Sequence, residues 1–252
     1  MCFNLRGTWA RLAGWWAGSP ISPGLSSAER DLIARIKARN LSFLSAERLT
    51  TIAETCRSIE SAGVSGAFIE AGCALGGSAI LIAAVKDSKR PFAAYDVFGM
   101  IPPPTTNDAQ DVHDRYRVIA SGAAQGMGGR PYYGYVGNLY EVVQSNLKEF
   151  GIDTATEPVS LIKGLVDETL TIGGPVAFAH IDVDWYEPVM TCLTRIFPNL
   201  VVGGSIIIDD YNDWSGCRKA TDEYLQTVPG QFTRDESADA LKIIKVKNGI
   251  AA

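Results

Sequence analysis

The sequence predicts an α/β fold, in which a mostly parallel seven-stranded β-sheet is covered by helices on both faces. Short, almost wholly apolar segments alternate with helical patterns from residue 67 onward. Continuous apolar strands separated by helices indicate a parallel sheet that is buried on both faces. The last two predicted strands have no helix between them, which indicates an antiparallel edge.

Two helices are predicted before the first strand. Ser26 lies three residues before Glu29, which is the spacing of a capping box at a helix start, and apolar residues follow at helical spacing. A second helix is predicted to begin at Ser45 and to end at Gly63, because glycine commonly terminates helices. These helices form an N-terminal extension of the domain.

The remaining elements follow the alternation of apolar segments and turn residues. The predicted strands cover residues 67–70, 91–97, 159–162, 176–182, 205–209, 231–233 and 241–246. The predicted helices cover residues 78–86, 108–120, 138–150, 188–197 and 217–226. A proline-rich loop at 99–106 occupies the place of a lid over the sheet. With no repeat or linker, residues 26–252 are predicted to form one catalytic domain.

Composition limits the function classes. Of 252 residues, 46% are hydrophobic and 20% are charged, and the net charge of −5 argues against a nucleic-acid-binding surface. The five cysteines are odd in number and lack C-x-x-C spacing, which argues against a disulfide framework and structural zinc and favours a reducing cytoplasm. Two histidines cannot form a histidine-rich metal site.

Residues 1–25 are predicted to form a separate arm. The arm carries Trp9, Trp15 and Trp16. Its apolar stretch is too short to span a membrane, and Arg11 and Gly14 interrupt what would be the core of a signal peptide. We expect a loosely ordered or dimer-packing segment, and the alternative is an interfacial helix with a tryptophan face.

A glycine-rich turn follows the first strand. The segment EAGCALGGS at 70–78 joins a strand to a helix, and Asp96 lies 20 residues after Gly76, at the end of the next strand. An acid there can accept hydrogen bonds from ribose hydroxyls. The spacing of Gly72 and Gly76 differs from the dinucleotide pattern G-x-G-x-x-G and is typical of S-adenosylmethionine sites. The alternative is a tight turn that binds no ligand.

Two pairs of aspartates follow apolar strands. Asp182 and Asp184 come after one predicted strand, and Asp209 and Asp210 after the next. If those strands are neighbours, the four carboxylates converge, and they would repel one another unless a divalent cation such as Mg²⁺ neutralised them. Such a cation lowers the pKa of a bound hydroxyl, and a carboxylate that is not a ligand can take the proton. The alternative is a set of solvated helix caps.

Five segments together resemble the macrocin O-methyltransferase family, which methylates hydroxyls of antibiotic sugars and related natural products. The segments are FIEAGCALGGS at 68–78, YDVFGM at 95–100, KGLVDETL at 163–170, HIDVDWYE at 180–187 and GGSIIIDDY at 203–211. They occur in the order of the family, and the resemblance covers roughly residues 45–226. It implies the class I methyltransferase (Rossmann-like) sheet, S-adenosylmethionine as cofactor, and Mg²⁺ or another divalent cation.

The resemblance also implies roles for individual residues. Asp182, Asp209 and Asp210 would be metal ligands, and Asp184 would be the catalytic base. The cofactor-binding residues would be Glu70, Gly72, Gly76, Ser78, Asp96 and Asp167. Among them, Asp96 would hold the ribose and Asp167 would lie near the adenine, while Glu70, Gly72 and Ser78 would lie along the methionine end.

The expected partner is a small-molecule hydroxyl acceptor that contains a sugar, and we expect a homo-oligomer with no nucleic acid and no membrane span. Tyr132, Tyr133, Tyr135 and Tyr140 could line an acceptor pocket, although packing is their default role. Val183 stands where family members often have glycine, which leaves the acceptor open. Two alternatives remain: a metal-dependent glycosyltransferase that uses the D-x-D acids, and a non-catalytic cofactor-binding relative. His180 is expected to be packed and hydrogen-bonded.

Overall fold

The computed structural model describes residues 24–249, which fold around one seven-stranded sheet. The predicted arm lies outside the described residues except for Gly24 and Leu25. The strands are β1 Ala67–Ala71, β2 Phe92–Asp96, β3 Val159–Lys163, β4 Val176–Ile181, β5 Leu200–Ile208, β6 Phe232–Asp235 and β7 Leu241–Lys245. The helices are α1 Ser27–Ala38, α2 Ala46–Ser61, α3 Gly77–Val85, α4 Gln110–Ala120, α5 Leu139–Glu149, α6 Val166–Thr169, α7 Tyr186–Ile196 and α8 Ser215–Thr227.

The strand order is β3-β2-β1-β4-β5-β7-β6. The pairs β1–β2, β2–β3, β1–β4 and β4–β5 are parallel, whereas β7 runs antiparallel to both β5 and β6. The predicted α/β fold with an antiparallel end is therefore confirmed. The chain passes from β1 to β2 on one side and returns to place β4 on the other, so the order reverses between β1 and β4. Ligands of open α/β sheets bind at the carboxyl ends of the strands beside such a reversal.

Apolar side chains fill both faces of the sheet. On one face, α1, α2, α3 and α5 pack over β1 and β2, and on the other face, α7 and α8 pack over β4 and β5. Nearly all residues of α3 are buried, as expected for a helix that is apolar on every side. The predicted N-terminal helices are present, and the Ser26 capping box closes the start of α1. No helix among residues 24–249 combines the length and apolar character that crossing a bilayer requires.

Some boundaries differ from the prediction. Strand β5 begins at Leu200, five residues before the predicted start at 205, and a register irregularity between Val176 and Phe178 of β4 accommodates the glycine pair of β5. Helix α7 begins at Tyr186 rather than at Pro188. The first turn of a helix tolerates proline, because a backbone N–H at that position would have no partner within the helix. The four-residue helix α6 was not predicted.

Candidate active site

Two cavities meet at the carboxyl ends of β1, β4 and β5. The first has a volume of about 380 Å³ and extends along Asp96, Gly164 and Asp167. The second has a volume of about 550 Å³, and its lining includes residues of the glycine-rich turn. Both cavities are lined by Tyr133, Asp182, Asp184 and Trp185. Volumes of this size hold small molecules, and the shared residues lie where two ligands would approach each other.

The glycine-rich turn packs directly against the acidic segment that follows β4. Gly72 has φ +84°, and a Cβ built on it would lie 1.7 Å from the carbonyl oxygen of Asp182. No residue other than glycine fits there without moving the backbone. The amide of Asp182 donates to the carbonyl of Ala71 at 2.8 Å. This close approach brings Asp182 beside the turn.

Asp96 organises the same turn from the end of β2. Its Oδ2 accepts from the amides of Cys73 at 2.8 Å and Ala74 at 3.0 Å, and its Oδ1 accepts from the amide of Phe98 at 2.7 Å. Burial raises the pKa of Asp96 above its usual value, although these backbone hydrogen bonds favour the charged form. The carboxylate lines the first cavity. Its Oδ1, which accepts one backbone N–H, keeps capacity for a further hydrogen bond.

Three predicted metal ligands converge. Asp182 follows β4, while Asp209 and Asp210 begin a short 3₁₀ turn after β5. One carboxylate oxygen from each lies within 4.8 Å of the other two. The pKa values of Asp182 and Asp210 are well above the usual range because desolvation and repulsion by their acidic neighbours disfavour the charged form. The cluster is therefore electrostatically suited to a cation.

Asp184 lies beside this cluster but is not one of its three converging acids. Its backbone has φ +57°, a left-handed conformation that aspartate tolerates better than most residues. Its amide donates to Oδ2 of Asp210 at 3.1 Å. Burial raises the pKa of Asp184 to about 6, although Trp214 and Arg115 favour the charged form. Asp184 lines both cavities and can act as a proton acceptor there.

Arg48 is a site residue that the sequence did not indicate. Its Nη1 donates to Oδ2 of Asp209 at 2.8 Å and to Oδ2 of Asp213 at 2.8 Å, and its Nη2 contacts Asp239. Burial alone would lower the pKa of Arg48, but the neighbouring carboxylates stabilise its positive charge more strongly and raise the pKa above its usual value. Arg48, which lies on helix α2, thus neutralises part of the acidic cluster. No local sequence pattern predicts this contact.

A buried pair lies beneath Asp209. Glu70 Oε1 accepts from His180 Nδ1 at 2.9 Å, and both side chains are fully buried. His180 Nε2 lies 3.8 Å from Asp209 Oδ1. Burial disfavours a charged imidazole, but the carboxylates of Asp209 and Glu70 outweigh it and raise the pKa of His180 to about 9. His180 is packed and hydrogen-bonded, as expected from the sequence.

The other predicted residues fall into distinct places. Gly72 and Ser78 line the second cavity, and Asp167 lines the first. Gly76 caps α3 with φ +86°, and Glu70 is buried; neither lines a cavity. The cofactor roles of these residues stay predictions.

Some of the predicted tyrosines line a cavity, and others have a structural role. Tyr132 and Tyr133 line the second cavity, where Phe43 packs against both with ring centroids 6.4 Å and 5.7 Å away. The Tyr135 hydroxyl donates to the carbonyl of Ile119 at 2.6 Å, so this tyrosine is structural. Phe43 is 45% exposed and was not anticipated, because it lies in the connection between α1 and α2.

The chain is similar in sequence to known O-methyltransferases. The family model described as macrocin-O-methyltransferase (TylF) matches residues 26–229. A tetracenomycin-related enzyme of Streptomyces olivaceus, named "8-demethyl-8-(2,3-dimethoxy-alpha-L-rhamnosyl)-tetracenomycin-C 4'-O-methyltransferase", is 26% identical over 219 residues, covering 82% of this chain and 77% of its own. Demethyldecarbamoylnovobiocin O-methyltransferase of Streptomyces niveus is 26% identical over 194 residues, covering 71% and 65%.

Solved structures show the same fold. The O-methyltransferase NovP superposes with a TM-score of 0.67 at 22% identity, covering 84% of this chain and 89% of NovP. The calicheamicin methyltransferase CalS11 gives a TM-score of 0.56 at 16% identity, covering 88% and 93%. At these identities the likeness concerns the class I methyltransferase fold alone.

Proposed function

The chain belongs to the macrocin O-methyltransferase family, and from that premise we propose that it methylates a sugar hydroxyl with S-adenosylmethionine and a divalent cation. One observation carries the proposal. Three converging carboxylates, with Asp184 beside them, lie where two cavities meet at the carboxyl ends of neighbouring strands. The family membership favours methyl transfer over the glycosyltransferase alternative that the D-x-D acids also suggest.

The residues present fit a divalent cation. Asp182, Asp209 and Asp210 offer only oxygen donors, which Mg²⁺ prefers, and one oxygen of Asp209 is buried without a hydrogen-bond partner among the described residues. These three residues would hold the cation. Bound there, it would lower the pKa of an acceptor hydroxyl. Asp184, outside the ligand set, would take the proton of that hydroxyl.

The first cavity fits the methyl donor. S-adenosylmethionine supplies a methyl group attached to a positively charged sulfur. Asp96 would accept hydrogen bonds from the ribose hydroxyls, and Asp167 would lie near the adenine, since both line this cavity. Gly72 and Ser78 line the second cavity, and the methionine end would reach toward them. The chain contributes chiefly alignment of the two reactants.

The second cavity fits the acceptor. Its wall includes Phe43, Tyr132, Tyr133, Trp185 and Trp214, and aromatic rings offer apolar faces to sugar rings as well as polar edges to their hydroxyls. The two curated relatives are named for a rhamnosylated tetracenomycin and for a novobiocin precursor. A glycosylated natural product is therefore the acceptor class that we propose for this chain.

The function is tested by methyl transfer from labelled S-adenosylmethionine to three acceptors: an aryl rhamnoside, a nucleotide-linked deoxysugar and a simple catechol. We expect transfer to at least one sugar hydroxyl in Mg²⁺ and none in excess chelator. Transfer to the catechol alone would overturn the acceptor class. Full transfer in chelator would overturn the role of the cation, and binding of a nucleotide sugar without S-adenosylmethionine binding would favour the glycosyltransferase.

Asp96→Asn should weaken S-adenosylmethionine binding by about 10- to 100-fold and destabilise the chain by about 1–3 kcal/mol, since an amide nitrogen replaces one of the acceptors of three backbone N–H groups. Calorimetry and urea unfolding would measure the two effects. Asp167→Asn is the matched control, because Asp167 is exposed in α6, and it should leave the unfolding free energy unchanged. Unaltered binding in Asp96→Asn would remove Asp96 from the cofactor site.

A further inference from the structure

Three buried polar atoms without a hydrogen-bond partner lie close together beneath the acidic cluster. Among the described residues, the side-chain atoms in this condition are Glu70 Oε2, His180 Nε2, Asp209 Oδ1 and Thr221 Oγ1. The first three belong to one chain of contacts that runs from Glu70 through His180 to Asp209. Buried polar atoms are rarely left unpaired without a reason, so this place calls for an explanation.

Strand pairing builds this chain of contacts. Glu70 on β1 and His180 on β4 are direct partners in the parallel register, so their side chains project from the same face of the sheet. Nδ1 of His180 donates to Glu70 at 2.9 Å, and this bond fixes the orientation of the imidazole ring. The opposite nitrogen, Nε2, is then directed toward Asp209, at 3.8 Å from its Oδ1.

Asp209 is therefore flanked on both of its carboxylate oxygens. Arg48 donates to Oδ2 at 2.8 Å, and Nε2 of His180 faces Oδ1 from 3.8 Å, which is too far for a hydrogen bond but close enough for an electrostatic contact. Each carboxylate oxygen can accept more than one interaction, so neither neighbour prevents Asp209 from binding a cation. Groups behind a ligand that fix its orientation commonly change metal affinity by about 10- to 100-fold.

We propose that Glu70 and His180 are positioning residues that orient Asp209 for the divalent cation. Glu70, the acid of the glycine-rich motif, then serves the metal centre. The family resemblance had instead implied a place for Glu70 along the methionine end of the cofactor. Its full burial and its absence from both cavities support this role. The inference rests on the proposed function, because it requires that the three aspartates bind a cation.

The two roles of Glu70 predict opposite results. The test uses Glu70→Gln and His180→Gln in the full chain, with Mn²⁺ affinity measured by the electron paramagnetic resonance of free Mn²⁺ and S-adenosylhomocysteine affinity measured by calorimetry without metal. We expect the Mn²⁺ dissociation constant to rise by about 10- to 100-fold, with cofactor affinity unchanged. Glu70→Gln should be the milder variant, because its amide oxygen can still accept from Nδ1.

Thr221→Val is the matched control. It replaces the fourth unpaired buried polar atom with a side chain of similar shape, and it should change neither affinity. Weaker cofactor binding with unchanged Mn²⁺ affinity in Glu70→Gln would overturn the inference and support the cofactor role. Unchanged values in both variants would also overturn it. Absence of Mn²⁺ binding to the wild-type chain would instead overturn the cation in the proposed function, and the inference with it.

A measurement on the wild-type chain covers the case in which the variants fail to fold. The sequence contains only His113 and His180, so ¹⁵N-labelled histidine gives two imidazoles that His113→Asn distinguishes. Mg²⁺ should shift the His180 resonances, and S-adenosylhomocysteine alone should leave them in place. If the chemical shifts of the His180 imidazole nitrogens do not change at saturating Mg²⁺, the positioning role is overturned.

Discussion

Replacing Asp182 or Asp210 with asparagine should reduce methyl transfer by about 10³-fold or more, since a Lewis-acid cation contributes several kcal/mol to such a step. Binding of S-adenosylhomocysteine should remain nearly intact. Asparagine keeps the size of the side chain but removes one of the carboxylates that would hold the proposed cation. Because the clustered acids repel one another, the metal-free variants should unfold no more easily than the wild-type chain.

Asp213→Asn is the control for this experiment. Asp213 pairs with Arg48 at 2.8 Å, but its side chain is 44% exposed and it is not one of the three converging acids. Exposed ion pairs contribute little, so the rate should change by less than about fivefold. Full activity in both Asp182→Asn and Asp210→Asn would remove the cation from the mechanism, and a collapse of their stability would mean that the acids are structural.

Gly72→Ala should destabilise the chain by more than about 4 kcal/mol, the range reached by severe steric or conformational defects. The added Cβ would lie 1.7 Å from the carbonyl oxygen of Asp182, and Gly72 also has φ +84°. Relief requires that the turn and the acidic segment separate. Any folded protein that remains should therefore bind neither S-adenosylhomocysteine nor Mn²⁺ normally.

Gly122→Ala separates the steric clash with Asp182 from the cost of a left-handed backbone conformation. Gly122 has a similar φ of +80°, but nothing lies within 4 Å of its Cβ position. This variant should show only the cost of a left-handed conformation, about 1–2 kcal/mol, with both affinities retained. Urea unfolding gives the two free energies. Equal losses in the two variants would show that backbone strain, and not the contact with Asp182, makes glycine necessary at position 72.

Much of the fold could be predicted because sheets and helices have different periodicities. The apolar segments of β1, β4 and β5 identified buried parallel strands, and the missing helix between β6 and β7 identified the antiparallel end. The start of β5 could not be predicted in this way. Adjacent glycines commonly mark turns, and only the pairing with β4 shows that the strand continues through Gly203 and Gly204.

The site could be predicted where it depends on strand ends. Asp182, Asp209 and Asp210 converge because β4 and β5 are neighbours. Arg48 could not be predicted, because it reaches Asp209 from a helix 161 residues earlier in the chain. The contact of Glu70 with His180 depends on the register of β1 against β4, which no local pattern reports. The homo-oligomer and the cytoplasmic location remain predictions.

Calorimetry of the purified chain with S-adenosylmethionine and S-adenosylhomocysteine, first in Mg²⁺ and then in chelator, tests the central claim most directly. We predict that both ligands bind with dissociation constants on the order of micromolar, equivalent to about −8 kcal/mol. Chelator should leave S-adenosylhomocysteine binding nearly unchanged, since the proposed cation would bind the acceptor hydroxyl and not the cofactor. If neither ligand binds in either condition, the proposed methyl transfer is contradicted, and only the fold and the family membership stand.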